Sequence, residues 1–500
     1  MRGYYTADEV RAAEAPLLKS LPEGALMRRA AHGLATAVAA ESRARTGGVV
    51  GRHLVVLVGS GDNGGDALWA ATFLRRRGMS ATALLLNPEK AHAAGLAAFR
   101  KAGGRVAVSA ADIGVPDLVI DGIVGISGKG PLRPDAADVV AHLEAPIVAA
   151  DLPSGVDPNT GTVTGPAVRA AATVAFGALK PVHVLAGTHC GRVELVPIGL
   201  PLGSAGITAL DAADVGAYWP VPGPDDDKYT QGVVGIVAGS GGYPGAGVLC
   251  TGGAVTATSG LVRYAGSSLH EVLARWPEVI ATADVPSAGR VQSWVVGPGM
   301  GTDDDAGSVL RRVLQSDVPV LIDADGLTLL SKDPELVRGR TAPTLLTPHA
   351  GEFARLRGEE PGPDRVAAVR SLAADWQVHV LLKGRSTVIA EPGGRVFVNE
   401  AGGSWSATAG AGDVLSGIIG SLLAAGLSPD LAAAVGARAH SLAGNLAARG
   451  SGRDLSAGLG SAPISAVTLL SHLRESIRVL RAGVSPDTVA DNSGVAGLKA

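Results

Sequence analysis

Aromatic residues make up only 3% of this 500-residue chain, so any core must be built from Ala, Val, Leu and Ile. That composition argues against an aromatic-rich β-sandwich and suits layers of buried apolar strands and Ala-rich helices. Two cysteines, Cys190 and Cys250, exclude a disulfide framework and an all-cysteine zinc site. Apolar runs are short. The best candidate, GIIGSLLAAGL at 417–427, falls below the roughly 18 residues that cross a bilayer. Nor is there an excess of either charge: 43 basic against 46 acidic residues leave −3, which argues against a nucleic-acid binder driven by global charge. The opening MRGYYTADEVRAAE places acids where a signal peptide needs an apolar core, and Thr6 and Glu9 are spaced as a helix capping box. The expectation is a cytoplasmic protein without a nucleic-acid or membrane partner.

What the chain does have is glycine, 70 residues of it, and 30 prolines. Five hundred residues exceed one ordinary domain. The first half alternates apolar runs with Ala-rich stretches: HLVVLVG (53–59), ATALLL (81–86), DLVIDGIVG (117–125), PIVAADLP (146–153), AATVAFGA (171–178) and RVELVPIGL (192–200). A parallel sheet follows from helix-length spacers. At WPVPGPDDDKYTQG (219–232) the composition changes, and alternation then restarts with GVVGIVAGS (232–240), WVVGPGM (294–300), PVLIDADGL (319–327), TLLTP (344–348), VHVLLKG (378–384) and STVIAEP (386–392). Two helical stretches follow, about 411–425 and 430–449. The spacing predicts tandem α/β domains over 1–218 and 232–480, a linker at 219–231 and a disordered tail at 481–500.

Three turns of the first half should share the carboxyl edge of one sheet, where open α/β folds bind ligands. They are GSGDNGGDAL (59–68), IDGIVGISGKGPLR (120–133) and AADLPSGVDPNTG (149–161). Gly59, Gly61 and Gly64 satisfy GxGxxG, but Asn87 stands where a dinucleotide-binding fold wants a ribose-holding acid. Consecutive glycines at a helix N-terminus instead open N–H groups toward a phosphate. Asp121 and Asp151, each also readable as a helix cap, join Asn63 and Ser154 as hard oxygen donors suited to an alkali or alkaline-earth ion.

NGGD, DGIVGISGKG and DLPSGVD, in this order, resemble the NAD(P)HX epimerase domain, the YjeF N-terminal family, over roughly 1–215. The resemblance implies a Rossmann-like α/β sandwich. It puts potassium on Asn63, Asp121 and Ser154. The hydrated dinucleotide is placed against Asp62, Asn63, Gly64, Gly65 and Asp66, and against Gly125, Ile126, Ser127, Gly128, Lys129, Gly130 and Pro131. Asp151 becomes the proton-transfer group. Asp62 and Ala67 depart from the family's usual Asn and Gly.

The second half carries SATAGAGDVLSGIIGSLLAAG (406–426). A Gly-Ala-Gly-Asp turn opening an apolar helix puts N–H groups at the positive end of the helix dipole, with Asp413 placed to take a proton from an attacking hydroxyl. The alternative is a helix cap by Asp413. GAGD resembles the ribokinase-like superfamily. DKYTQGVVGIVAGSGGYPGAGVL (227–249), VVGPGMG (295–301), LIDADGL (321–327), LTPHAGEFARL (346–356) and LLKGRSTVIA (381–390) narrow it to the ADP/ATP-dependent NAD(P)H-hydrate dehydratases, over roughly 222–475. The resemblance implies a ribokinase-like α/β/α domain. Gly247, Gly301, His349 and Asp413 would meet the hydrated dinucleotide, while Lys383, Gly384, Arg385, Ser386, Thr387 and Gly412 would hold the adenine nucleotide. Ala411 and Ala350 stand where the family usually has Thr and Pro.

Together these resemblances imply a bifunctional enzyme acting on NADHX and NADPHX: an epimerase using potassium, and a dehydratase using ADP with magnesium through a phosphorylated intermediate. The family's habit of assembling makes a homo-oligomer the expectation. Two other readings compete: a ribokinase-like vitamin or sugar kinase, and a non-catalytic scaffold such as occurs in messenger-RNA decapping factors. The PHAGE loop with KGRST argues against the first. Retention of Asp121, Asp151 and Ser154 argues against the second.

Overall fold

The computed structural model describes residues 1–258, 260–450 and 460–483. The expected tail lies outside them except for its first three residues, of which Arg481 ends the helix Leu473–Arg481. Two compact units emerge: Gly3–Ile207, and Met1–Arg2 together with the chain from Thr208 onward. Among the described residues no helix is long and apolar enough to cross a membrane.

β1 (Arg2–Tyr4) opens the chain. The first unit then holds seven strands: β2 (His53–Val58), β3 (Ser80–Leu85), β4 (Arg105–Ala107), β5 (Leu118–Gly122), β6 (Ile147–Ala150), β7 (Ala172–Phe176) and β8 (Arg192–Val196). They lie in the order β4-β3-β2-β5-β6-β7-β8, all parallel. β2 shows why: its Leu54, Val56 and Val58 enter one core with the helices Ala25–Thr46 and Asp62–Arg76. Val55 and Leu57 enter a second core on the opposite face. A strand apolar on both faces must be covered on both. From β2 the chain first runs outward through β3 and β4, then returns to β5 on the other side. The order therefore reverses between β2 and β5, and the turns beyond their carboxyl ends open a crevice.

The second unit repeats the logic with β9 (Ile207–Ala209), β10 (Val233–Val237), β11 (Leu261–Ala265), β12 (Ile280–Thr282), β13 (Ser293–Val296), β14 (Val320–Ile322), β15 (Thr344–Leu346), β16 (His379–Leu382), β17 (Ser386–Ala390) and β18 (Val396–Glu400). The order β9-β18-β17-β16-β15-β14-β13-β10-β11-β12 is parallel from β16 to β12. It turns antiparallel at β16–β17 and β17–β18. Here the reversal falls between β10 and β13. The helices Pro244–Ala257 and Ala411–Ala424 cross at backbone contact: a Cβ on Gly417 would lie 1.9 Å from the Cys250 carbonyl oxygen, and one on Gly253 would lie 2.3 Å from that of Val414.

The segment 208–231 differs from its sequence reading. The helix Ala212–Tyr218 belongs to the second unit, and Val215 and Trp219 enter that unit's core. Asp226 and Asp227 close turns by accepting from Gly223, Tyr229 and Thr230 N–H groups.

Candidate active sites

The parallel register sets Asp121 between Leu57 and Ala149, at the carboxyl end of the central strand of the first sheet. Its Oδ1 accepts from Ile123 N (3.1 Å) and Ser154 Oγ (2.7 Å), and its Oδ2 from Ser154 N (2.8 Å). It caps no helix. Ser154 Oγ in turn accepts from Val124 N at 3.0 Å, so this acid clamps the turns after β5 and β6 together. Burial pushes the Asp121 carboxyl up to about 6, opposed by its hydrogen bonds. No cationic side chain among the described residues pairs with it.

Above the clamp lies a cleft of about 840 Å³. Asp62, Asn63, Asp66, Asp151 and the whole run Gly125, Ile126, Ser127, Gly128, Lys129, Gly130 and Pro131 line it. Gly64 and Gly65 are buried beneath instead. A Cβ on Gly64 would lie 2.4 Å from the Gly59 oxygen, and one on Gly65 would lie 2.8 Å from the Met27 methyl. Gly64 serves the close approach of its helix to the turn, and Gly65 the approach to the helix Ala25–Thr46. The Ala67 methyl is accepted because its neighbour is Gly122, where a Cβ would come within 2.4 Å.

Asp151 holds a left-handed φ of +67°, strained for a residue with a side chain. Its surroundings fix it there. Asp151 N donates to Val174 O at 2.8 Å. Its Oδ1 accepts from Phe176 N (3.0 Å) and from the buried Lys180 Nζ (2.5 Å), which also donates to Phe176 O. His183 Nδ1 accepts from Lys180 N, which leaves Nε2 as the donor to the Asp151 carbonyl at 2.8 Å. Burial, then the Lys180 charge, pushes His183 down to about 4, so the ring is a neutral strut.

Sequence reasoning singled out neither Lys180 nor His183. It also passed over Glu14, which lines the same cleft from the helix Ala7–Ser20. Burial first, then the Asp151 charge, raises the Glu14 carboxyl above its ordinary value. Asp66 is raised further, chiefly by burial.

In the second unit the helix Ala411–Ala424 begins after Gly410 (φ +81°), without a side-chain cap. Asp413 therefore sits inside the first turn and is not the cap. His440, buried and pushed down to about 4 by that burial, meets the Ala411 carbonyl through Nε2 at 2.9 Å. Around Asp413 the strand ends converge. Lys383 Nζ, following β16, meets Asp323 Oδ1 at 2.7 Å and Glu352 Oε2 at 3.7 Å. Asp323 Oδ2 accepts from Ser416 Oγ at 2.7 Å. Burial, then the Asp323 charge, raises Asp413 to about 7. Burial would push Lys383 down, but Asp323 and Glu352 more than offset it. Between Asp323 and Asp325, Ala324 holds φ +49°, a second strained residue at a strand end.

Gly301 joins this cluster by donating to Asp325 Oδ2 at 3.0 Å. His349 caps the helix Ala350–Arg357 through Nδ1, and its Nε2 lies 3.4 Å from Glu352 Oε1. A Cβ on Gly412 would lie 3.6 Å from Lys383 Nζ. Arg365 grips the KGRST turn from beneath by donating to the Lys383 and Ser386 carbonyls, and it packs against Gly384, where a Cβ would lie 2.7 Å from that guanidinium. Arg385 pairs with Glu400 at 3.0 Å, Ser386 begins β17, and Thr387 Oγ1 donates to Gly384 O at 3.2 Å. Gly247 is packed where a Cβ would lie 2.9 Å from the Ala238 oxygen. Asp323, Asp325 and Glu352 are functional candidates the motifs contained without singling out, and Arg365 lies outside every motif.

Two family models match the chain, one described as NAD(P)H-hydrate dehydratase over residues 234–462 and one as YjeF-related protein N-terminus over 23–182. A bifunctional NAD(P)H-hydrate repair enzyme of Mycobacterium tuberculosis (strain H37Rv) is 64% identical over 439 residues, 87% of this chain and 92% of the relative. Its Mycobacterium leprae counterpart is 60% identical over 485 residues, 96% and 100%. Among solved structures, an ADP/ATP-dependent NAD(P)H-hydrate dehydratase from Bacillus subtilis co-crystallised with ATP/Mg2+ is 24% identical, with a TM-score of 0.47. It covers 55% of this chain and 98% of its own. With relatives this similar along nearly their whole length, the chain belongs to the family of bifunctional NAD(P)H-hydrate repair enzymes.

Proposed function

We propose that the first unit interconverts the R and S epimers of hydrated NADH and NADPH, and that the second dehydrates the S epimer with ADP as phosphoryl donor. The observation that carries the second half is Asp413 in the open first turn of its helix, beside the Lys383–Asp323 pair. Asp413 takes the substrate hydroxyl proton, and the N–H groups of that turn, with magnesium on the nucleotide, stabilise the moving phosphoryl group. Loss of phosphate from the phosphorylated carbon and of a proton from its neighbour then restores the ring double bond. Lys383, Gly384, Arg385, Ser386, Thr387 and Gly412 hold the nucleotide; Gly247, Gly301 and His349 hold the hydrate.

In the first unit the phosphates lie against Asp62 to Asp66 and Gly125 to Pro131, with Asp151 at the hydrated ring. A potassium ion fits the clamp beneath. Among the described residues Asp121 is a buried acid with no cationic partner, and Asn63 Nδ2 is buried without a hydrogen-bond partner, so an amide turned over would present oxygen. Asn63, Asp121 and Ser154 would hold the ion, which when bound supplies the positive charge that the clamp lacks.

The test is recovery of near-ultraviolet NADH absorbance from mixed R and S NADHX with magnesium, potassium and either ADP or ATP. Wild type should recover both epimers, faster with ADP. Asp413→Asn should recover none, and Asp151→Asn only the S fraction. Absence of recovery with either nucleotide overturns the dehydratase assignment.

A further inference from the structure

Among the carboxyl groups that line the cleft of the first unit, Asp151 and Glu14 stand in opposite surroundings. Asp151 is an ion pair with Lys180, and its Oδ1 is saturated by Lys180 Nζ and Phe176 N. Glu14, by contrast, makes no hydrogen bond or ion pair among the described residues, yet it lies against the same cavity. The charged groups around it are Asp151, Lys180, Asp62 and Arg11. Burial and the neighbouring carboxylates favour its neutral form.

Its placement is built rather than incidental. The helix Ala7–Ser20 is fixed at its start by the Thr6–Glu9 capping box, and Ala7 N donates to Asn159 Oδ1 at 2.8 Å. Arg11 Nη2 donates to Ile126 O at 3.0 Å, tying the helix to the cleft loop. Glu14 follows Val10 and Arg11 by four and three residues, so all three share one helix face, and all three line the cleft.

A carboxylate ion-paired to a buried lysine and a second, unpartnered carboxyl lining the same cleft have the arrangement of an acid–base pair. We propose that Glu14 is the proton donor that works opposite Asp151 in epimerisation. This inference rests on the epimerase reading above. The hydroxyl-bearing carbon of the hydrate is bonded to the ring nitrogen, so the ring can open as a hemiaminal. Asp151 Oδ2 takes the hydroxyl proton and the carbonyl forms as the carbon–nitrogen bond breaks. The bonding pair goes to nitrogen, which takes the Glu14 proton. Rotation about the carbon–carbon bond and reclosure on the other carbonyl face reverse both transfers, so each residue returns to its starting state.

The experiment uses the full chain with separated R and S NADHX. Glu14→Gln should lower epimerase kcat by about 100-fold or more with KM nearly unchanged, and the alkaline fall of the epimerase pH profile should vanish. Glu14→Asp should restore part of the rate together with that fall. Dehydration of S-NADHX, assayed on the same sample, and an unchanged melting temperature report that the protein is folded. Epimerase kcat within about threefold of wild type in Glu14→Gln, or an alkaline fall that persists without Glu14, overturns the proposal. Failure of wild type itself to convert R to S, while it dehydrates S, removes the epimerase reading and this inference with it.

Discussion

At the scale of single residues, buried charge decides most of what these sites do. Lys180 is 1% exposed and its partner Asp151 9%, so the pair is one electrostatic unit. Removing one member of a buried pair leaves the other uncompensated, at a cost of about 3–5 kcal/mol. Lys180→Met should therefore abolish epimerisation and destabilise the first unit by that amount in denaturant titration. The double variant Lys180→Met/Asp151→Asn should recover most of the stability and none of the activity. Non-recovery would mean that Lys180 packing, not charge, supports the site. Asp413 works in the other direction. Its pKa is raised by burial from 3.8 to about 7, so the folded state binds a proton more tightly than the unfolded chain, and stability falls as pH rises through that range. Asp413→Asn should raise the melting temperature at pH 8, have little effect at pH 4, and abolish dehydration at both.

The site residues divide by how they announce themselves. Asp121, Asp151 and Asp413 end apolar runs or open helices, so their types and positions are readable along the chain. Lys180 and Glu14 are not. Lys180 sits in ALKP, which reads as an ordinary loop, and only the pairing of β6 with β7 brings it under Asp151. Glu14 lies on a helix whose pattern also suits a solvent-facing acid. Asp323 and Glu352 stood inside motifs but gain meaning only when Lys383 arrives from another strand.

At the scale of elements, the long apolar strands were legible because a parallel strand buried on both faces is a continuous Val/Ile/Leu run. The short edges were not. β4 and β12 have three residues each, and β11 carries Arg263, whose guanidinium leaves the sheet to donate to Ala288 O. The helix Ala212–Tyr218 escaped assignment to the second unit because its partners are distant: a Cβ on Gly216 would lie 2.5 Å from Leu480 O. Helix contact of this closeness also aims the turn proposed to stabilise the phosphoryl group. Because a Cβ on Gly417 would meet a carbonyl rather than a flexible side chain, Gly417→Ala should push the helices Pro244–Ala257 and Ala411–Ala424 apart. Destabilisation of about 1–3 kcal/mol is expected, with S-NADHX dehydration lost and R-to-S conversion retained. Equal loss of both activities would show that the two units do not tolerate damage separately.

At the scale of the whole molecule, each of two sheets gathers acids at the carboxyl ends of its parallel strands: Asp121 and Asp151 after β5 and β6 in the first, Asp323 and Glu352 after β14 and β15 in the second. The two sites answer differently to pH because different neighbours set their acids. In the proposed mechanism the second site uses Asp413 as a base, and kcat/KM reports the free enzyme's essential groups. With a pKa of about 7, the ionised fraction of Asp413 falls about tenfold between pH 8 and pH 6. Dehydratase kcat/KM should fall by that factor. The shifted acids of the first site are set by neighbours within their own unit, so the ratio of epimerase to dehydratase rates should climb as pH drops. A mixture of epimers supplied at pH 6 should then equilibrate fully before it is consumed, whereas at pH 8 the S fraction should disappear first. Chromatographic separation of R and S during the time course distinguishes these courses. Parallel decline of both rates would mean that one group shared by the two reactions, not Asp413, sets the acid limb.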